Sequence, residues 1–148
     1  MTSIPRVGRI IALDWGEIRF GVARSDESQT LASPLTTLAR RAGKRFPMPQ
    51  LLALLEAETV VGIVVGLPIS LEGTETPSSE AARALAALVG RRTGLPVELA
   101  DERFTTAIAL DAVREMGGST RGRKADVDAL AATVLLQQYL DHRRTTAR

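Results

Sequence analysis

The sequence predicts an α/β fold in which helices cover both faces of a five-stranded mixed sheet, made of a three-strand antiparallel meander plus parallel strands. The first three apolar segments are joined by connections too short to contain a helix, which favours antiparallel pairing. The segment VVGIVVG at 60–66 is apolar on both faces, as is typical of a central strand in a parallel arrangement. After it, segments with helical periodicity alternate with a further short strand, which indicates crossover units.

The meander is predicted to consist of strands at about 9–13, 20–25 and 31–38, with the third strand bent at Pro34. The first is a short apolar run that stops at Asp14 and is followed by Gly16, a pattern that favours a strand over a helix. A short helix is expected next, at about 50–58, with Leu51, Leu54 and Leu55 on one face.

The helix after the central strand has start and stop signals at both ends. Thr76 is expected to cap it, with Pro77 at its first position and Gly94 ending it after Thr93. The residues expected to face inward are Ala81, Leu85, Leu88 and Val89. A fifth strand, at about 95–100, should follow and lead into Asp101 and Glu102.

Two more helices are expected in the last third of the chain. The first would begin at Thr105 or Thr106 and reach Met116, and a basic glycine-containing loop, GGSTRGRK, would follow at 117–124. The last helix would run from a cap at Asp126 to about His142. Its expected inner face consists of Val127, Leu130, Ala131, Val134 and Leu135, with Asp128 in the first turn.

Composition narrows the classes of protein. The 148 residues predict one domain, with an ordered core at about 7–142. The absence of cysteine excludes disulfides, thiol catalysis and thiolate metal sites. No signal-peptide pattern and no apolar run of membrane-spanning length is present, so we expect a soluble cytoplasmic protein with no membrane partner.

Charge does not by itself indicate a nucleic-acid partner, because the formal net charge is only +2. Arginine, which suits bidentate phosphate contacts, nevertheless forms clusters along the chain. For any one cluster, a solvated arginine-rich surface is the better explanation. The clusters lie at 40–45, 121–124 and 143–148.

Acidic residues come at the ends of predicted strands. Asp14 follows the first strand, and Asp101 and Glu102 follow the fifth. If the first, fourth and fifth strands are parallel neighbours, their carboxyl ends share one edge with Gly66, which is where open α/β sheets place their sites. Asp128 would join them from its helix. The alternative for each acid is structural: a turn cap for Asp14, an ion pair of Glu102 with Arg103 or Arg19, and a helix N-terminal charge for Asp126 or Asp128.

Three converging carboxylates would repel one another unless cations neutralised them. Oxygen ligands without cysteine favour Mg²⁺ or Mn²⁺. A pair of such ions serves in-line hydrolysis of a phosphodiester, one activating water and the other stabilising the leaving oxygen. In that arrangement Asp14 would bridge the ions, and Glu102 and Asp128 would each hold one. His142, the only histidine, is expected at the surface.

Four segments in order resemble the YqgF/RuvX family, whose members are described as Holliday-junction resolvases or pre-16S rRNA nucleases with a ribonuclease H-like fold. They are ALDWGEIRFGVA at 12–23, VVGLPISLEGTE at 64–75, DERFTT at 101–106 and KADVDALAATVLL at 124–136. The resemblance implies that Asp14, Glu102 and Asp128 are the catalytic and metal-binding triad. It implies substrate contacts from Arg19, Gly66, Pro68, Arg103, Thr105, Arg121, Arg123 and Lys124. Whether Asp101 or Asp126 also supplies a ligand stays open.

The function implied by the resemblance is hydrolysis of phosphodiester bonds in maturation of the 5′ end of pre-16S rRNA, with a pre-ribosomal particle as a partner. Cleavage of Holliday junctions is the alternative substrate, and a non-catalytic RNA-binding assembly factor is the alternative class. An ATPase of the actin and sugar-kinase type also carries an Asp-x-Gly after its first strand, but this chain is too short for the second domain that such enzymes close over ATP. The sequence leaves both monomer and homodimer open.

Overall fold

The computed structural model describes residues 3–16, 18–40, 46–68, 74, 76–101 and 124–146. The strands are β1 (Arg9–Asp14), β2 (Arg19–Ser25), β3 (Ala32–Ala39), β4 (Val60–Leu67) and β5 (Val97–Asp101). The helices are α1 (Met48–Glu58), α2 (Pro77–Thr93) and α3 (Lys124–Thr146). The predicted helix at 105–116 and the loop at 117–123 lie outside the described residues.

The described strands form one five-stranded sheet in the order β3-β2-β1-β4-β5. β1 pairs antiparallel with β2, and β2 pairs antiparallel with β3. β1 pairs parallel with β4, and β4 pairs parallel with β5. The predicted mixed sheet is therefore confirmed. We call the edge at which β1, β4 and β5 end the carboxyl edge.

Two hydrophobic clusters cover the two faces of the sheet. On one face α1 and α2 pack over large side chains such as Leu13, Phe20 and Val65. On the other, α3 packs over Ile10, Ala12, Ala23 and Val64. Because side chains alternate along a strand, each strand residue belongs to either the α1/α2 face or the α3 face.

Most element boundaries agree with the sequence. Thr76 caps α2 by accepting a hydrogen bond from the Ser79 amide, Pro77 opens the helix, and Gly94 ends it in the left-handed conformation, all as expected. The strand-pairing register shifts between Val22 and Ala23, opposite the predicted bend at Pro34. The first helix begins two residues earlier than expected, and β5 runs from Val97 to Asp101 rather than over 95–100.

The predicted inner faces of two helices were only partly right: Leu85 and Val89 of α2 and Ala131 and Leu135 of α3 are buried as expected. In α2, Ala82 rather than Ala81 is fully buried. In α3 the buried stripe consists of Ala129, Ala131, Ala132, Leu135, Leu136 and Leu140, whereas Val127, Leu130 and Val134 are only half-buried. The helix also begins at Lys124, so Asp126 lies within its first turn and is not its cap. In the described part of the chain, no helix has the length and apolarity needed to cross a bilayer.

Candidate active site

Asp14 is the last residue of β1, and its side chain lies on the α3 face of the carboxyl edge. It alternates with Ile10 and Ala12, which pack under α3, and it is half-buried. Its antiparallel partner in β2 is Gly21. The four residues of β1 before Asp14 are apolar and buried. The Asp14 carboxylate therefore lies at the point where the strand emerges from the core.

Gly21 allows α3 to approach the sheet at this point. A Cβ atom added to Gly21 would lie 1.9 Å from the backbone oxygen of Asp128 and 3.1 Å from the nitrogen of Ala129. Only a residue without a side chain fits such a separation. The start of α3 therefore lies directly over the strand partner of Asp14, so Asp14 and Asp128 occupy neighbouring positions on one face. Partners in an antiparallel pair have Cα atoms about 4.5–5.5 Å apart.

Asp128 is held in place by Arg19, the first residue of β2. The Nε atom of Arg19 donates a hydrogen bond to Oδ2 of Asp128 over 3.1 Å, and both side chains are about one-third exposed, at 33% and 32%. Asp128 also lies on the sheet-facing stripe of α3, four residues before Ala132 and seven before Leu135. The expected role of Arg19 is thereby extended: it contacts a candidate metal ligand, and its remaining N–H groups are the ones that can contact a phosphate.

β4 and β5 end beside β1 at the same edge. Leu13 pairs with Val65, which places Gly66 next to Asp14, and Gly66 pairs with Ala100. Pro68 comes two residues after Gly66, and its carbonyl oxygen accepts a hydrogen bond from the Thr76 hydroxyl that caps α2. The Gly-Leu-Pro segment predicted to flank the substrate thus begins at the candidate site.

Asp101 differs from the other acids in orientation. It alternates with Val97 and Leu99, which pack on the α1/α2 face, so it belongs to the face opposite Asp14. Asp101 is exposed and lies on the edge strand β5. The structure therefore does not bring Asp101 together with Asp14 and Asp128.

Several predicted site residues lie outside the described residues. They are Glu102, Arg103, Thr105, Arg121 and Arg123, together with the side chains of Lys124 and Asp126. Within the described ranges, no group of three or more acidic, histidine or cysteine side chains is arranged to hold a metal ion. Two of the three predicted ligands, Asp14 and Asp128, are described. Both supply carboxylate oxygens, the donors that Mg²⁺ and Mn²⁺ prefer.

Sequence reasoning missed the part that Gly21 plays in this arrangement. The signal was present, because an isolated glycine between Phe20 and Val22 inside a strand often marks a close backbone approach. It also did not predict that Arg19 pairs with Asp128, which is 109 residues away.

Comparisons with known proteins bear on the family and the fold of this chain. The family described as "RuvX: Holliday junction resolvase" matches residues 8–142. A "Putative pre-16S rRNA nuclease" of Nocardioides sp. is 43% identical over 144 residues, covering 95% of this chain and 92% of the relative. A protein with the same description from Koribacter versatilis is 41% identical over 136 residues, covering 92% of this chain and 88% of the relative.

Among solved structures, the chain resembles T. thermophilus RuvC in complex with Holliday junction substrate, with a TM-score of 0.57 and 16% identity, covering 94% of this chain and 97% of that chain. At that identity the likeness concerns the fold, which is of the RuvC and ribonuclease H type. The family match and the identities extend over nearly all of the sequence. The chain belongs to the RuvX family of nucleases.

Proposed function

We propose that this protein is a divalent-metal-dependent nuclease that matures the 5′ end of pre-16S rRNA in the cytoplasm, with Asp14, Glu102 and Asp128 as its catalytic acids. The observation that carries the proposal is the approach of Asp128 to Gly21, the strand partner of Asp14. It puts two carboxylates from opposite ends of the chain on the same face of the carboxyl edge. The edge at which parallel strands end is a common location for a catalytic site.

The third acid is Glu102 rather than Asp101. Asp101 belongs to the α1/α2 face, and side chains alternate along a strand. The next residue along the chain is therefore the better candidate for the face that carries Asp14. This supports the triad that the family resemblance implies.

The chain's own groups would act as follows. Asp14 and Asp128 would provide carboxylate oxygens to Mg²⁺ or Mn²⁺, most simply to a pair of ions, and Arg19, which contacts Asp128, would fix the orientation of that carboxylate. A divalent cation there supplies Lewis-acid activation of water and neutralises charge on the phosphate. The guanidinium N–H groups of Arg19 that do not contact Asp128 are available to the phosphate oxygens. The arginines and the lysine at 103 and 121–124, with Thr105, would hold the flanking backbone.

The choice of pre-16S rRNA is supported by the descriptions of the curated relatives. The description of the family instead favours Holliday junctions as a second candidate substrate. Phosphate contacts and metal-assisted hydrolysis serve RNA and DNA equally, so only the substrate itself can decide between them. Resolution of a two-fold symmetric junction would in addition require a homodimer, whereas rRNA maturation is compatible with a monomer.

The test is cleavage by purified protein with Mn²⁺ on two substrates, a pre-16S rRNA 5′ fragment and a four-way DNA junction. We expect cleavage of the rRNA fragment and loss of that cleavage by more than about a hundredfold in Asp14→Asn, since even groups that only orient metal ligands contribute about 10–100-fold. The thermal unfolding midpoint of the variant should stay close to that of the wild type, because the substitution keeps the side-chain shape.

Asp141→Asn is the matched control. Asp141 is an exposed carboxylate on the same helix as Asp128, and it pairs with Arg144 well away from the carboxyl edge. Its substitution should leave cleavage unchanged. Undiminished cleavage by Asp14→Asn would refute the assigned role of Asp14, and cleavage confined to the junction would refute the rRNA substrate.

A further inference from the structure

A cleft of about 770 Å³ opens on the α1/α2 face of the sheet, opposite the candidate acids. One wall is formed by Trp15, which directly follows Asp14, and the other by the stripe Ala84, Leu85 and Leu88 of α2. Phe46 and Met48, at the start of α1, complete its apolar lining. The cleft therefore begins one residue away from a candidate catalytic carboxylate.

The charged groups of the cleft all carry the same sign. Arg40 and Arg92 line it, and none of its described lining residues is acidic. A volume between about 300 and 1,000 Å³ with an apolar lining and a few polar groups is typical of small-ligand sites. The lining thus suits a ligand that has a flat apolar part and a negative charge.

Arg40 is the more informative of the two arginines. Its Nε atom is buried and has no hydrogen-bond partner among the described residues, and its Cζ atom lies 5.0 Å from the centre of the Phe20 ring. A buried donor without a partner costs free energy, so the Nε atom gives Arg40 no bond that fixes it to the core, and the residue itself still lines the cleft. The contact with Phe20 holds the guanidinium in a fixed position at the cleft wall.

We propose that this cleft binds one unpaired nucleotide of the nucleic-acid substrate, next to the phosphodiester that is cut. The base would lie on the apolar lining against Trp15, and the phosphate would contact Arg40 or Arg92. Aromatic stacking combined with arginine is how single-stranded nucleic acid is generally held. Bases in a duplex are already stacked and paired, so the site selects a single-stranded segment beside the cleavage point. This inference rests on the proposed function and specifies its substrate as single-stranded at that position.

Trp15 makes the proposal directly measurable, because it is the only tryptophan of the chain. Full-length protein in EDTA, where metal-dependent cleavage cannot occur, would be titrated with a single-stranded RNA pentanucleotide and with a blunt RNA hairpin. We expect saturable quenching of Trp15 fluorescence by the single strand and at least about fivefold weaker binding of the hairpin, the lower end of what one stacked base contributes.

Two variants with matched controls locate the binding. Ala84→Phe adds a ring to an exposed position of the cleft wall, and Arg92→Gln removes one charge from its lining. Each should weaken the single-strand affinity by at least about fivefold. The controls are Ala87→Phe and Arg91→Gln, exposed positions of the same helix that do not line the cleft, and they should bind as the wild type does.

Three results would overturn the proposal: no quenching by the single strand, equal affinity for the hairpin, or unchanged affinity in both Ala84→Phe and Arg92→Gln. Quenching by an acidic peptide of equal length with the same affinity would also overturn it, in favour of a protein partner. The cleavage assay with Mn²⁺ is independent of this measurement. Loss of cleavage in Asp14→Asn, together with unaffected binding in both Ala84→Phe and Arg92→Gln, would leave the nuclease proposal standing and remove the cleft from it.

Discussion

The two faces of the sheet use side chains of different size at the carboxyl edge. The α3 face presents Ala12, Gly21, Ala23 and Ala100 there, whereas the α1/α2 face presents Leu13, Phe20, Val22 and Leu67. A helix backbone can reach the sheet only where side chains are small, so α3 is positioned by backbone contact at Gly21. On the other face, large side chains form the core and a cleft is left between α1 and α2. One face is thus suited to fixing a carboxylate and the other to receiving a ligand.

Replacing Gly21 by alanine should have the largest effect of all, because it disrupts the close packing of α3 on the sheet. The new methyl group would lie 1.9 Å from the Asp128 carbonyl oxygen, so the start of α3 must move away from β2. We expect the free energy of unfolding to fall by about 1–3 kcal/mol, as in other overpacked positions, and cleavage to fall by about a hundredfold because Asp128 moves with the helix. Urea unfolding and the Mn²⁺ cleavage assay measure the two effects.

Gly90→Ala is the control for the Gly21 variant. Among the described residues, a Cβ atom at Gly90, inside α2, would meet only the Val97 side chain beyond its own helix, at an ordinary 3.6 Å. Because alanine is the better helix former, this variant should be stabilised by about 0.5–1 kcal/mol and keep its activity. If both glycine variants changed stability in the same direction, the close approach at Gly21 would not be the cause.

The ion pair between Arg19 and Asp128 should affect cleavage much more than stability. Both side chains are about one-third exposed, so Arg19→Gln should cost only about 0.2–1 kcal/mol of unfolding free energy. Cleavage should fall about tenfold or more, because Asp128 loses the contact that orients it. Arg19→Lys keeps the charge but not the planar guanidinium, and it should restore stability while recovering only part of the activity.

A stability loss in Arg19→Gln without a loss of cleavage would assign Arg19 a purely structural role. The Mn²⁺ dependence of cleavage further separates a purely structural role of Arg19 from a role in orienting Asp128. A residue that orients a metal ligand should shift the Mn²⁺ concentration needed for half-maximal cleavage upward, whereas a structural residue should not move it.

The sequence was sufficient for the elements with local signals. The cap at Thr76 and Pro77 and the end at Gly94 depend on neighbouring residues only, and they were predicted correctly. The inner face of α3 was predicted only in part, because Val127, Leu130 and Val134 are as apolar as the residues that are buried beside Ala131 and Leu135. What selects the buried stripe is its fit to the small residues of the sheet, a property of distant segments.

In the candidate site, too, features with a local signal could be predicted and those that depend on distant segments could not. The position of Asp14 at a strand end could be predicted, because the aliphatic run stops there. The pairing of Arg19 with Asp128 could not, since both partners have other oppositely charged residues within reach along the sequence, and only the packing of α3 on β2 selects this one. The assignment of Asp101 to the opposite face likewise needed the register of β5, which the sequence placed two residues too early.

Unlike the pair of Arg19 and Asp128, the ion pairs of the α1/α2 face should contribute to stability but not to cleavage. Their removal should lower stability slightly and leave cleavage unchanged. Glu58, at the end of α1, accepts hydrogen bonds from Nη1 of Arg24 at 2.7 Å and Nη1 of Arg9 at 3.0 Å. These groups lie at the edge of the sheet opposite the candidate site. Only 14% of the Glu58 side chain is exposed, but the two arginines are 37% and 39% exposed, so Glu58→Gln should cost only about 1 kcal/mol.

The pH dependence of the stability loss in Glu58→Gln tests whether the charge of Glu58 is its cause. The hydrogen bond from Arg24 lowers the pKa of Glu58 below its usual value; burial opposes this shift and Arg9 adds to it. A depressed folded-state pKa means that the stabilisation is fully present above the unfolded-state pKa of about 4.5 and is lost as the pH falls through the lower, folded-state pKa. The stability difference between wild type and Glu58→Gln in urea should therefore be largest near pH 7 and shrink below pH values of about 4. Glu56→Gln, an exposed change two residues earlier in α1, should show no such difference at either pH. An equal loss in Glu58→Gln at both pH values would indicate that packing, not the two arginine contacts, is what Glu58 contributes.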